Sequence, residues 1–234
     1  MKPSRRLLIA LLLVGAPAAL GAAPARDWST VAQRTPSGAF VQGNPAAPLK
    51  LVEYLSLTCP HCAVFEGEAV KPLTAKYIRT GLVNYEVRHA VRDSFDLAGS
   101  LLARCDGPKA FFTALPKVFA QQDVWFGRAQ AWSQIEQAGG LSPSQVLVKS
   151  AAGAGFDRVF GMPAAKMNAC LNNKDEQALL TAMASAAWNS PGFPGTPAFA
   201  INGRMQAGVR DWASLDGALA AALKTRSPAR KTPR

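Results

Sequence analysis

Two cysteines stand two residues apart in the sequence Cys59-Pro60-His61-Cys62. A catalyst of disulfide exchange needs one thiol that is ionised and accessible, and a second thiol close enough to resolve the mixed disulfide. A C-x-x-C motif at the start of a helix meets both needs, because the unpaired N–H groups and the positive dipole end of the first turn stabilise a thiolate. The motif therefore predicts redox chemistry, with the stabilised thiolate at Cys59.

The two residues between the cysteines support this interpretation. A cationic or hydrogen-bonding His61 would stabilise the Cys59 thiolate further, and a stabilised thiolate makes the disulfide a stronger oxidant. Pro60 falls in the first turn of the predicted helix, where proline is tolerated because its missing N–H would have no helical partner.

A C-x-x-C motif also occurs in structural zinc sites and in plain local disulfides. A structural zinc site would need further ligands, but the sequence has no second C-x-x-C, and the two histidines, His61 and His89, do not have the usual ligand spacing. We favour redox catalysis because the motif lies between a predicted strand and a predicted helix. No metal is expected, and no cofactor besides a redox-active disulfide between Cys59 and Cys62.

The elements around the motif are an interior strand and a helix. The run at 49–55 is almost entirely apolar, which suits a strand covered on both faces. Residues 63–79 have helical composition, with a kink or break expected near Val70 because of Pro72. Residues 83–89 alternate apolar and polar side chains with the period of a strand.

The rest of the chain predicts a long helical stretch between strands. Apolar residues recur at helical steps through 93–187. A short strand at 198–201, a hairpin turn at Asn202-Gly203 and a final helix at 211–223 follow. Residues 38–42 are expected to form a short edge strand.

The N-terminus has the pattern of a secretory signal peptide. A basic start with Lys2, Arg5 and Arg6 precedes an apolar run and a small-residue stretch. The alternative is a membrane anchor, but the run is shorter than the ~20 apolar residues of a spanning helix, and Pro17 interrupts it. We therefore expect residues 1–23 to be cleaved and the protein to reach the periplasm.

The other two cysteines, Cys105 and Cys170, form a natural second pair. Exported proteins meet an oxidising compartment, where disulfides persist. We therefore expect a structural disulfide between them inside the helical stretch. Two buried free thiols are the alternative.

The formal charge of +11 is concentrated at the two ends. Three basic residues lie in the predicted signal peptide, and five lie in the last eleven residues, which leaves +3 for the rest. Nucleic-acid binding is therefore not predicted. Residues 225–234 are interpreted as a basic disordered tail.

Two segments, LVEYLSLTCPHC at 51–62 and GTPAFAING at 195–203, resemble the DsbA family of periplasmic oxidoreductases and its thioredoxin-fold relatives. The resemblance implies an α/β thioredoxin fold, a central mixed sheet flanked by helices. In that fold, residues 24–92 and 188–224 form the thioredoxin-like domain, and residues 93–187 form a large inserted helical domain.

The same resemblance assigns roles to single residues. Cys59 is implied to be the attacking thiol and Cys62 the resolving thiol. Pro197 is implied to be a cis-proline, preceded by Thr196, whose exposed backbone would pair with an extended substrate chain. Glu53 matches the family's buried acid, which handles the proton of the resolving cysteine. An edge-exposed strand acid is the alternative for Glu53.

These roles predict an enzyme that donates disulfides to unfolded exported proteins and is reoxidised by a DsbB-like membrane partner. The alternatives are a disulfide isomerase or reductase of the same fold, and a chaperone-like binder of unfolded chains. Thr196 stands where the best-known oxidase has valine, which favours the isomerase. We expect a monomeric oxidase, since about 25 residues between the predicted cleavage site and the first strand leave too little chain for a dimerisation domain.

Overall fold

The computed structural model describes residues 26–135 and 140–226. One mixed sheet contains the six strands of these residues, which are β1 (Ala32–Arg34), β2 (Phe40–Gly43), β3 (Leu49–Leu55), β4 (Val83–His89), β5 (Ala198–Ile201) and β6 (Arg204–Met205). Their spatial order is β1-β2-β4-β3-β5-β6. Strands β3 and β4 are parallel, and every other neighbouring pair is antiparallel. Helices flank this sheet, which confirms the predicted fold class.

Strands β3 and β4 have the bounds that the sequence predicts, and both are interior strands. Each pairs with a neighbour along both edges, so their backbone groups are satisfied without water. The apolar side chains Leu49, Leu51 and Leu55 are completely buried. An apolar run of this kind is expected where both faces of a strand are covered.

The predicted strand at 38–42 is present as β2, but its predicted position at the edge of the sheet is wrong. Strand β2 begins at Phe40 and lies between β1 and β4, so β1 forms the outer edge of the sheet. Strand β1 has three residues, two of which are exposed. Such a short and polar segment carries no alternating pattern that would reveal it in the sequence.

The nine helices of the described residues lie mainly between β4 and β5. They are α1 (Pro60–Leu73), α2 (Ser94–Arg104), α3 (Gly107–Ala120), α4 (Gln122–Ile135), α5 (Pro143–Ala154), α6 (Phe156–Phe160), α7 (Ala164–Leu171), α8 (Lys174–Trp188) and α9 (Trp212–Arg226). Helices α2 to α8 fall within the stretch for which the sequence predicts a helical insertion. No strand interrupts that stretch in its described residues, which leave out 136–139.

Helix α1 does not break at Val70 as the sequence suggests. It continues through Pro72 to Leu73 and passes into a π-helical turn, Thr74–Ile78. In this turn Arg79 N–H donates to the Thr74 carbonyl oxygen at 2.9 Å, five residues back. The missing N–H of a proline interrupts the regular pattern of helix bonds, and a wider turn restores backbone pairing after it.

The two faces of the sheet are covered by different helices. On the α1 side, Phe65 packs against Phe199 of β5, with ring centroids 4.6 Å apart. The side chains of β3 and β4 that point the other way, such as Tyr54 and Arg88, line a cleft with Met183 of α8. Helix α1, which carries the C-x-x-C motif, therefore packs over one defined face of the central strands.

Two predictions lie wholly or partly outside the described residues. The signal peptide predicted at 1–23 is one of them, and residues 227–234 of the predicted tail are the other. Helix α9 includes Thr225 and Arg226, so it ends two residues later than the start of the predicted tail implies. Among the described residues, no helix is both long enough and apolar enough to cross a membrane.

A disulfide joins Cys105, at the end of α2, to Cys170 of α7. The Cα atoms of the two residues are 5.7 Å apart, within the usual range for a disulfide. The bond closes a loop with a sequence separation of 65 residues. It therefore connects two helices of the helical segment and restricts the unfolded chain.

Replacing both cysteines, Cys105→Ala with Cys170→Ala, should lower the free energy of unfolding by roughly 4 kcal/mol, because the unfolded chain gains loop entropy. Urea denaturation of the variant and the wild type measures this loss. Alkylation of the unreduced native protein, followed by mass spectrometry, is the control. Label on both Cys105 and Cys170 in that experiment would contradict the disulfide.

Candidate active site

The C-x-x-C motif lies where strand β3 passes into helix α1. Cys59 is the N-cap residue of α1, with extended backbone angles, and Pro60 opens the first turn. The first helical bonds run from the N–H groups of Cys62 and Ala63 to the Cys59 carbonyl oxygen, at 3.1 and 3.3 Å. Both thiols are free, and both are buried, with Cys59 2% exposed and Cys62 completely covered.

The two thiols differ strongly in acidity. The pKa of Cys59 is lowered from 9.0 to about 5, and hydrogen bonding from Cys62 is the largest cause. The Thr196 side chain and the charge of Arg92 lower the pKa further, whereas burial raises it. Burial raises the pKa of Cys62, and the neighbouring Cys59 and Glu53 raise it further. At neutral pH the site therefore holds one thiolate, at Cys59, and one thiol, at Cys62.

A cis peptide bond between Thr196 and Pro197 places the loop before β5 against Cys59. The Cys59 Sγ lies 3.2 Å from the Thr196 carbonyl oxygen. A carbonyl accepts a hydrogen bond from a thiol but not from a thiolate, so this contact favours the protonated form. The cis bond agrees with the resemblance. The backbone of Thr196 is not free as expected, because this residue is only 9% exposed and its carbonyl faces Cys59.

The two residues between the cysteines lie on the surface of the first turn. Pro60 and His61 are both exposed, so they border the opening to the buried thiols. The guanidinium of Arg92, a residue after β4, is a positive charge that lowers the pKa of Cys59. The stabilising role of His61 stays a prediction.

Glu53 is a buried acid behind the two thiols. It is 1% exposed, and its carboxylate accepts a hydrogen bond from the Tyr85 hydroxyl on the neighbouring strand β4. Burial raises the pKa of Glu53 from 4.5 to about 7, against the lowering effect of this hydrogen bond. Its other oxygen, Oε1, is buried without a hydrogen-bond partner among the described residues. The predicted burial is confirmed, and the edge-exposed alternative is wrong.

A second buried acid, Glu66, lies on α1 close to Glu53, and its burial is not predicted from the sequence. It is 5% exposed, and burial together with the charge of Glu53 raises its pKa to about 8. A cavity of about 180 Å³ borders Glu66 and Tyr85 and has room for water. In the sequence, Glu66 looks like an ordinary surface residue of a helix, because its burial depends on how α1 packs on the sheet.

Two side chains from the segment after β4 hold the loop that precedes Cys59. The Asp96 carboxylate accepts the Ser56 hydroxyl at 2.6 Å and the Leu57 N–H at 2.9 Å. Gln122, at the start of α4, donates its amide to the carbonyl oxygens of Leu57 and Cys59 at 2.6 and 3.0 Å. These contacts join residues far apart in sequence, and single-sequence patterns give no signal for them.

Three other ionisable side chains of β4 do not belong to the group around the thiols. Glu86 and Arg88 form an ion pair at 2.7 Å, and strand register places both on the face of the sheet opposite Glu53. His89 is completely buried, and its Nδ1 lies 2.9 Å from the Ser100 hydroxyl. In residues 26–135 and 140–226, no group of three or more histidine, cysteine or acidic side chains is arranged to hold a metal.

A sequence model of the thioredoxin family, described as Thioredoxin, matches residues 35–221. The chain belongs to the thioredoxin family. Within it, a Rickettsia conorii protein named provisionally as a protein-disulfide oxidoreductase is 33% identical over 168 residues, 70% of this chain and 53% of that protein. A Rickettsia felis protein with the same provisional name is 31% identical over 79% of this chain and 60% of its own length. The chain thus spans little more than half the length of these relatives.

Solved structures show the same thioredoxin-family fold. A structure described as a protein-disulfide isomerase from Novosphingobium aromaticivorans has 34% sequence identity and a TM-score of 0.71, and the match covers 78% of this chain and 96% of that one. The α-DsbA1 protein of Wolbachia pipientis has a TM-score of 0.64 over 82% of this chain and 94% of its own, and its 22% identity bears on the fold alone. The resemblance to DsbA-like proteins is thereby confirmed.

Changing Glu53→Gln should slow the attack of Cys62 on a mixed disulfide by roughly tenfold or more at neutral pH, because a base beside a thiol of raised pKa is lost. In the wild type this rate should rise as the pH passes 7, where Glu53 ionises, and the variant should lack that rise. Stopped-flow measurements between pH 5 and 9 test this.

The same substitution should also change stability in a defined direction. The folded pKa of Glu53 lies above its ordinary value, so ionisation destabilises the fold as the pH rises from 4.5 through 7. Glu53→Gln should therefore be more stable than the wild type at pH 8, by up to about 3 kcal/mol, and not at pH 4. Glu68→Gln, at an exposed position of helix α1, is the control, and equal pH profiles for both variants would contradict a role for Glu53.

Proposed function

We propose that this protein is a thiol:disulfide oxidoreductase that introduces disulfides into exported proteins through Cys59 and Cys62. The observation that carries the proposal is the pair of free, buried cysteines at the start of α1, with Cys59 against the cis-proline loop and surroundings that shift the two acidities in opposite directions. The pKa of Cys59 is lowered to about 5, and that of Cys62 is raised well above its ordinary value. A structural disulfide or a zinc site has no need for such a difference, whereas disulfide exchange depends on it.

The exchange begins with the disulfide form of the site. A substrate thiolate attacks the Cys59 sulfur, the bond between Cys59 and Cys62 breaks, and Cys62 leaves as a thiolate that takes a proton from Glu53. A second substrate thiolate then attacks the substrate sulfur of the mixed disulfide and expels the Cys59 thiolate. Two electrons pass from the substrate to the protein, and the products are a substrate disulfide and the reduced site.

The acidity of Cys59 sets the direction of this exchange. At pH 7 a thiol with a pKa of about 5 is almost fully ionised, which stabilises the reduced site by a factor of about 100 relative to an unperturbed thiol. The disulfide is stronger as an oxidant by the same factor. This advantage is lost as the pH falls through 5, because both forms of the thiol then carry a proton.

Unfolded exported chains are the proposed substrates. Apolar side chains lie exposed near the site, with Val64 of α1 60% exposed and Val124 of α4 57% exposed. Helix α4 reaches the site through Gln122, so Val124 lies close to the motif. Exposed apolar groups around a reactive thiol suit side chains that a folded protein would bury.

Export and reoxidation complete the proposal. The signal peptide pattern of residues 1–23 supports a periplasmic location. A protein that donates disulfides must be reoxidised, so a DsbB-like membrane protein is the proposed partner. The disulfide itself carries the electrons, and the proposal includes no further cofactor.

An isomerase is the second candidate. The Novosphingobium structure described as a protein-disulfide isomerase matches this chain with 34% identity. The family resemblance also associates a threonine before the cis-proline, here Thr196, with isomerases. A chaperone-like binder would need the apolar surface but not the acidity of Cys59, so it accounts for less of the site.

Cys59→Ala should abolish both the oxidation of dithiol peptides and the reduction of insulin, with a loss of at least about 1000-fold, because the attacking sulfur is gone. Cys62→Ala should instead accumulate mixed disulfides with substrate, because the nucleophile remains and the resolving thiol is lost. Activity assays and non-reducing mass spectrometry measure the two effects. The variant without Cys105 and Cys170 is the control and should keep its activity. Activity that survives in Cys59→Ala would contradict the proposal.

The oxidase and the isomerase differ in redox equilibrium and in assembly. For an oxidase we expect light scattering to show a monomer. We also expect the equilibrium with glutathione to favour the reduced protein at pH 7, and this preference to disappear toward pH 5. A dimer or trimer at micromolar concentration, together with efficient refolding of a scrambled-disulfide substrate by the reduced protein, would reject the oxidase in favour of the isomerase.

A further inference from the structure

The loop that joins β3 to the motif carries two buried hydroxyls, each bound to a carboxylate. Ser56 is completely buried and donates to Asp96 Oδ2 at 2.6 Å. Thr58 is 1% exposed and donates to Asp93 Oδ2 at 2.8 Å. The hydroxyl oxygens of Ser56 and Thr58 are 3.2 Å apart. The residue immediately before Cys59 is thus fixed by the first turn of helix α2.

Arg92 binds both hydroxyls from the solvent side. Its Nε donates to Ser56 Oγ at 3.1 Å, and its Nη2 donates to Thr58 Oγ1 at 3.3 Å. Its backbone N–H donates to Asp96 Oδ2 at 3.1 Å. The planar guanidinium spans two acceptors at a fixed spacing, which a lysine cannot do. The side chain is therefore held against the segment that presents Cys59.

The carboxylates fix Arg92 without pairing directly with its guanidinium. Among the described residues, 26–135 and 140–226, the guanidinium reaches Asp93 and Asp96 only through the two hydroxyls. The charge of Arg92 therefore remains available to Cys59.

We infer that Arg92 is a positioning residue whose charge, held by the hydroxyls of Ser56 and Thr58, stabilises the Cys59 thiolate and makes the site more oxidising. The inference rests on the proposed function only in its assumption that Cys59 is the nucleophile. It assigns to Arg92 a positive charge beside the motif that the sequence does not predict.

Other ionisable groups face Cys59 and act in known directions. Helix α1 contributes Cys62, and β3 contributes Glu53. The carboxylate form of Glu53 opposes a thiolate. The charge of Arg92 lowers the pKa of Cys59.

The test is the titration of the Cys59 thiolate by its absorbance near 240 nm in the full-length reduced protein. Arg92→Gln should raise the pKa of Cys59 by about 0.5 unit, since a nearby opposite charge that is exposed is partly screened by water. The equilibrium constant for oxidation of glutathione by the protein at pH 7 should fall about threefold, because a pKa change of about 0.5 unit corresponds to that factor. In about 1 M salt the difference between the two proteins should shrink.

Two further variants separate charge from structure. Arg92→Lys keeps the charge but loses the contact with two hydroxyls, so it should recover part of the shift in the pKa, whereas a merely structural role would leave it like Arg92→Gln. Arg79→Gln is the control, because it removes the same charge at the far end of the helical segment after α1. Arg79 pairs with Asp27 at 3.4 Å, and its loss should leave the pKa of Cys59 unchanged. Circular dichroism confirms that each variant is folded.

The outcomes distinguish this inference from the proposed function. A wild-type Cys59 that titrates near 9 would remove the support for the oxidase itself. A wild-type pKa near 5 that Arg92→Gln leaves unchanged would overturn only the role of Arg92. Equal shifts in Arg92→Gln and Arg92→Lys would likewise reject the charge as the cause.

Discussion

The negative charge of the Cys59 thiolate has to be stabilised at a position that is 2% exposed to solvent. A pKa of about 5 in place of 9.0 corresponds to about 5 kcal/mol of preference for the thiolate. Two or three hydrogen bonds to a charged acceptor supply an amount of that order. The start of α1 provides donors from Cys62, and the loop before β5 adds Thr196. The arrangement of strand, turn and helix therefore determines the chemistry.

The same charge explains why the groups behind the motif are held in their neutral forms. Glu53 and Glu66 both have raised pKa values, because a Glu53 carboxylate would face the thiolate, and a Glu66 carboxylate would face Glu53, across a medium of low polarity. Keeping them protonated near neutrality removes that repulsion and leaves a proton available for Cys62. Buried acids of this kind destabilise a fold when they ionise, so their presence points to function.

The sequence predicts the central strands and the motif because each depends on local pattern. Strands β3 and β4 are interior, so their apolar content follows directly from burial on both faces. Strand β1 is short and exposed, and its pairing with β2 leaves no periodic trace. Glu66, Asp96 and Gln122 were missed for a related reason, since their environment depends on which elements pack together.

Thr196 connects the two opposing influences on Cys59. Its carbonyl oxygen, 3.2 Å from the sulfur, favours the thiol, whereas a hydrogen bond from its side chain favours the thiolate. A valine at this position would keep the carbonyl and lose the hydroxyl, so the thiolate would be less stable and the disulfide a weaker oxidant. By this argument threonine strengthens oxidation here, although family resemblance alone associates it with isomerases. The direction of the reaction thus depends on the balance of charges and donors around one sulfur atom, and the identity of a single loop residue does not decide it.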